Sequence, residues 1–160
     1  MTRLRTNFGG ISNRKLKDQL NSGFMKDHYD RIKAELRENG AVIYDLMVPE
    51  THYLPFIIQP NEHIKGAVYG RSKAGRGVMV ATDRRVLFVD KQPLHLYCDE
   101  IPPDTVSCVT RTHHGPVGTV TLCTPEGGRT IRTLNQKNAA NFVNYVSSRY
   151  CPKTKKPKRR

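Results

Sequence analysis

Gly77–Asp90, GVMVATDRRVLFVD, constrains this chain more than any other stretch. Two apolar runs, Val78–Ala81 and Val86–Val89, flank the polar tetrad Thr82-Asp83-Arg84-Arg85. Short runs rich in β-branched residues and joined by turn chemistry predict a β-hairpin. Neither run is long enough for an independent helix, and neither repeats every 3.6 residues. Val86-Leu87-Phe88-Val89 is apolar at every position, so both of its faces need cover. The core of the hairpin's own sheet supplies one cover. The other comes from elsewhere in the chain or from a partner.

One cover is available upstream. Leu16, Leu20, Phe24, Ile32 and Leu36 recur at multiples of four, with His28 in the same row and Met25 and Tyr29 beside it. This pattern predicts an amphipathic helix or helix pair over residues 13–39, capped by Ser12. Asn21-Ser22-Gly23 is a break point, where Ser22 caps a second helix. Asp27–Arg31 and Arg31–Glu35 support it as i,i+4 charge pairs, and Glu38-Asn39-Gly40 ends it with Gly40 at C′. The stripe covers Val86–Val89 from the same chain or from another copy. In residues 41–60, Val42–Val48 reads as a strand and Pro49–Ile58 as a short helix interrupted at Pro55. The segment serves as a connector packing partly on the core.

Strands follow at regular spacing: His63–Arg71, the two arms of the hairpin, Leu94–Ile101, Thr105–His113, Val117–Thr124 and Arg129–Leu134. Turn chemistry separates them at Lys91-Gln92-Pro93, Pro102-Pro103-Asp104, Gly115-Pro116 and Glu126-Gly127-Gly128. Asn135 caps a last helix, whose face is Ala139, Phe142, Val143, Val146 and Tyr150. The fold class is therefore α+β and mainly β. It is a seven-stranded antiparallel barrel or sandwich with a C-terminal capping helix, preceded by an amphipathic helical segment. The chain divides into a disordered basic start (1–10), the helical segment (11–40), the connector (41–60), the strand-rich domain (61–151) and a disordered basic tail (152–160).

This order resembles the pleckstrin-homology (PH) superfold. Glu62-His63-Ile64, Val68–Lys73, Gly77–Lys91, Thr130–Thr133 and Ala140–Val143 together resemble bacterial PH-like domains of the YokE-like type, over about residues 60–148. The resemblance implies a binding or scaffold module and points to no catalytic activity. Residues 11–40 fall outside it.

Charge narrows the partners. Lys+Arg is 27 against Asp+Glu 14, a formal +13. The tail residues Lys153, Lys155, Lys156, Lys158, Arg159 and Arg160 carry 6 of these charges, and about +7 remains without them. Such a balance suits phosphate-bearing partners, either nucleic acid or an anionic membrane surface. Trp is absent and no aromatic pair sits on a strand, which argues against a single-strand nucleic-acid platform. Residues 1–15 have no apolar core and no run approaches 18 apolar residues, so the sequence predicts a cytoplasmic protein, with peripheral membrane contact as an alternative. Cys98, Cys108, Cys123 and Cys151 form no CxxC and read as reduced, mostly buried thiols.

The most pointed candidate site is the loop 71–76. Arg71, Lys73 and Arg76 lie among Gly70, Gly75 and Gly77, with Lys65 and Arg84 as possible additions. Arginine forks and a lysine point charge suit phosphate oxygens, although a basic hairpin loop is often only a solvated turn. GRSKAGRG is not a Walker A loop. Arg84-Arg85 read as turn residues held by Asp83, with Asp90 or Glu100 pairing one of them. His113 and His114 face opposite sides of a strand, and His52, His63 and His95 are scattered, so no metal site is expected. No activated nucleophile or paired carboxylate stands out, and no enzyme or cofactor is expected. Three functions compete. The first is a PH-like module recruiting a protein partner or an anionic surface. The second is a nucleic-acid-associated protein, and the third an oligomerisation domain using residues 13–39.

Overall fold

The computed structural model describes residues 4–7, 18–73, 75–91 and 95–151. Helix α1 spans Gly23–Glu38, α2 Ile43–Met47 and α3 Pro49–Ile57. The strands are β1 (Leu4–Asn7), β2 (Ile64–Ser72), β3 (Gly75–Thr82), β4 (Val86–Lys91), β5 (Leu96–Ile101), β6 (Cys108–His114), β7 (Val117–Thr124) and β8 (Gly127–Thr133). Helix α4 closes the chain at Gln136–Arg149. The strands form one antiparallel sheet in the order β1-β5-β4-β3-β2-β8-β7-β6. Its two end strands do not pair with each other, so the sheet is open and not a closed barrel.

The hairpin is covered on both faces, and the chain supplies both covers. Val68, Met79, Ala81, Val86 and Phe88 point inward to Val120, Leu122, Ile131 and the α4 residues Ala139, Phe142 and Val146. Ala67, Tyr69, Val78, Val80, Leu87 and Val89 point outward to Leu20, Ile32, Leu36, Leu46, Leu54 and Ile58. Leu87 and Val89 are fully buried. Covering each such side chain contributes roughly 1.5–3 kcal/mol, so the helical layer completes the core in cis.

Asn135 caps α4 as expected, its Oδ1 accepting from the Asn138 N–H at 3.0 Å. Gly40 takes φ 98°, and the Ala41 N–H reaches Leu36 O at 3.0 Å in a Schellman-type end. The break at residues 21–22 is present. Ser22 takes the N-cap position of α1 as expected, but its hydroxyl turns back to Gln19 O at 3.1 Å and makes no capping hydrogen bond.

Several expectations need correction. Val42–Val48 is not a strand: Asp45 Oδ2 accepts from the Val42 N–H at 3.0 Å and starts the short helix α2. Within the start predicted as disordered, Leu4–Asn7 is a strand that pairs with β5, whose other edge β4 occupies. Cys108 and Cys123 are not thiols. They are cross-strand partners with Cα atoms 5.0 Å apart and are joined as a disulfide. Cys98 is a buried thiol pushed up to about 12 by burial. The basic tail and the start of the helical segment at residues 12 and 13 lie outside the described residues.

Candidate anion-binding surface

The predicted basic residues divide between the two ends of β2. Lys65 lies at its start, in a bulge where Ile64 pairs Thr82 and Gly66 pairs Ala81. Arg84 is exposed in the nearby β3–β4 turn. Arg71 lies at the far end, about 20 Å along the strand at the usual rise per residue. The structure therefore does not gather the five residues into one site.

The Lys65 end is held by carboxylates. Glu62, with no exposed surface, takes Arg85 Nε on Oε2 and Arg85 Nη2 on Oε1, both at 2.8 Å. Thr82 Oγ1 donates to Glu62 Oε2 at 2.6 Å, and the Gln59 N–H donates to Oε1 at 3.1 Å. Arg85 Nη1 also meets Glu100 at 3.2 Å, one of the pairings expected from sequence. Burial works to raise the Glu62 carboxyl, but the Arg85 and Thr82 hydrogen bonds prevail and hold it below the usual range. Glu35, on α1, repeats the pattern at the next two residues, His63 and Ile64. Burial is again the largest influence, and bonds from His63, the Ile64 N–H and Arg31 leave the carboxyl lowered. The hairpin turn itself is held by Thr82, whose Oγ1 accepts from the Arg84 and Arg85 N–H groups, both at 3.1 Å. Asp83, expected in that role, instead accepts from the His63 N–H at 3.1 Å.

The far end is built differently. The six-residue loop expected at 71–76 is a tight connection, because pairing continues out to Ser72↔Gly75. Arg71 is the direct partner of Arg76 on β3 and of Arg132 on β8. Arg76 is in turn the partner of Lys91 on β4. Direct partners in an antiparallel sheet share a face. Lys91, Arg76, Arg71 and Arg132 therefore form one cationic row across four strands, on the outer side. Lys73 is exposed at the turn beside it.

Gly70 brings β8 into the row. A Cβ at Gly70 would lie 1.9 Å from Arg132 O, so only glycine allows this approach. Arg132 was not singled out from the sequence, and the glycine was its one local signal. Arg71 and Arg132 are exposed and make no ion pair among the described residues. Glu50, 1% exposed, approaches the row, its Oε1 lying 3.6 Å from Arg76. Burial pushes the Glu50 carboxyl up, against the pull of Arg76 and Lys91. Arg76 Nη1 also donates to Tyr44 Oη at 3.4 Å.

Among the described residues, no three His, Cys, Asp or Glu side chains are grouped to hold a metal. No described helix is long and apolar enough to cross a membrane.

No curated protein matches the chain. Among solved structures it is similar to a DUF1696 family protein with a pleckstrin-homology domain from Shewanella loihica PV-4. The identity is 15%, the match covers 61% of this chain and 88% of that one, and the TM-score is 0.39. Residues 58–148, more than half of the chain, match the bacterial PH domain family, and the chain belongs to that family.

Proposed function

We propose that this chain is a binding module that holds a phosphate-bearing anionic surface on the cationic row and performs no reaction there. The PH-like fold supports a binding or scaffold role in general. The observation that carries the reading is the position of Arg71, with Arg76 directly opposite on one side and Arg132 on the other. Like charges directly opposite one another destabilise a sheet pair. The buried Glu50 beside Arg76 does not offset Arg71 and Arg132, which make no ion pair among the described residues. Phosphate oxygens would, and the planar guanidinium fork suits them.

The two ends of β2 provide the test. The full chain is titrated with inorganic polyphosphate at low salt by calorimetry. Arg71→Ser with Arg132→Ser should weaken binding at least about tenfold, the loss of two charge-assisted contacts. Lys65→Ser with Arg84→Ser removes the same charge from the other end and should weaken it far less. Equal losses would show attraction by net charge alone, as for a non-specific nucleic-acid binder, and would overturn the reading.

A further inference from the structure

The helical layer lies almost wholly outside the residues that match the bacterial PH domain family, and it carries a feature the cationic row does not explain. Helix α2 buries Asp45 and Leu46 but presents an apolar outward face. Val42 is 53% exposed, Ile43 77%, Tyr44 62% and Met47 66%. Leu134, two positions beyond Arg132, is 75% exposed. The patch and the row adjoin at two points. Arg76 reaches Tyr44 at 3.4 Å, and Asn135 Nδ2 donates to Gly40 O at 3.1 Å, which fixes the Leu134 corner against the start of the α2 segment. The helix is also anchored from beneath, with Thr51 Oγ1 donating to Asp45 O at 2.5 Å.

We infer that the cationic row docks on an anionic lipid bilayer, with the α2 ridge entering the headgroup–acyl boundary; this rests on the reading of the row as a phosphate-binding surface. The degree of exposure selects the bilayer. Apolar side chains that line a peptide groove are already half covered by its walls. Ile43, Met47 and Leu134 stand out from the surface, as a convex ridge does. A bilayer offers a plane of phosphates for Arg71, Arg132 and Lys73. An apolar boundary lies beneath that plane, within the roughly 5–10 Å that interfacial elements reach. A soluble polyanion would satisfy the charges and leave the ridge in water. Exposed apolar groups clustered beside a single-sign charge row mark an interaction surface and not a random surface residue.

The chain has no tryptophan, so Met47→Trp supplies a single reporter on the ridge. Vesicles of phosphatidylcholine and phosphatidylglycerol in equal parts should blue-shift its emission at low salt, whereas pure phosphatidylcholine should not. In sedimentation with the same vesicles, Ile43→Ser with Met47→Ser should weaken partition of the full chain at least about tenfold. The same variant should keep its polyphosphate affinity. Arg71→Ser and Arg132→Ser should each weaken vesicle partition about fivefold. A tryptophan emission that does not move, or a serine double variant that sediments as the parent does, overturns the bilayer. If polyphosphate binding still depends on Arg71 and Arg132 in that case, the surface reading stands and its partner is a soluble anion. If polyphosphate binding does not depend on them, both fail.

Discussion

The two ends of β2 use the same residue types for opposite purposes. At the start of the strand Arg85 is wrapped by Glu62, which has no exposed surface, and by Glu100. At the other end Arg71 faces Arg76 and Arg132. An arginine with its fork filled by buried carboxylates is part of the fold. One whose direct neighbours are cations leaves its donors open to a partner. Residue type does not separate the two cases; the register and the buried acids do.

Breaking the first end should have the largest effect. Arg85→Ala leaves the Glu62 carboxylate buried among Thr82 and backbone donors with its main counter-charge gone. Removing one partner of a buried pair typically costs about 3–5 kcal/mol. Denaturant unfolding should show that loss as a lower midpoint. Arg84→Ala, one residue away but exposed, should shift stability by no more than about 0.5 kcal/mol. Similar effects from the two would mean that the Glu62 pair does not hold this end.

The ends should also part in their response to pH. Glu62 and Glu35 are held below the ordinary carboxyl value of about 4.5, so their contribution is present above that value. It is lost as pH falls from about 4.5 through their folded values. Glu50 is raised above the same 4.5, so the folded state takes up its proton first. Stability from that group increases as pH falls from its raised value towards 4.5. The pH–stability curve should therefore rise gently on mild acidification and then fall. Glu50→Gln should reduce the upper limb, with Asp45, whose carboxyl burial also raises, keeping the remainder. Glu62→Gln should reduce the acid limb, with Glu35 keeping the remainder. A single monotonic curve unchanged by Glu50→Gln would remove the distinction.

Much of the scaffold was legible without coordinates. The doubly apolar hairpin required two covers, and both exist: the stripe at Ile32 and Leu36 is one and the face at Phe142 and Val146 the other. Asn135 and Gly40 were recognisable because caps are local chemistry. The Cys108–Cys123 pair was within reach. With Gly115 and Pro116 as a two-residue turn, antiparallel counting places 108 opposite 123, whereas the absence of a CxxC and of an apolar leader had pointed to thiols. The cationic row was half visible. Arg71, Lys73 and Arg76 are neighbours in sequence, but Arg132 joins them through a pairing between distant strands, at which Gly70 is the one local hint. The ridge was missed because Val42, Tyr44, Leu46 and Val48 alternate as a strand would. One hydrogen bond from the Val42 N–H to Asp45 tipped that segment into a helix, which turned its apolar side outward.

The smallest effect is the sharpest test of the contrast. If Arg71 is held between two arginines with no ion pair of its own, shortening it should not harm the fold. Arg71→Thr keeps a residue suited to a strand and removes the charge between Arg76 and Arg132. Stability should stay level or rise by up to about 0.5 kcal/mol. The gain should be clearest at low ionic strength, since about 0.1 M salt already screens charges beyond roughly 10 Å. Arg76→Thr should go the other way, because it takes from the buried Glu50 the guanidinium 3.6 Å away. Adding polyphosphate to the parent protein should reproduce the stabilisation seen with Arg71→Thr, and adding it to that variant should do little more. Thermal melts across a salt series read all three arms. A loss of more than about 1 kcal/mol in Arg71→Thr would place this arginine with Arg85, as part of the fold, because exposed substitutions without a structural role stay within about half that.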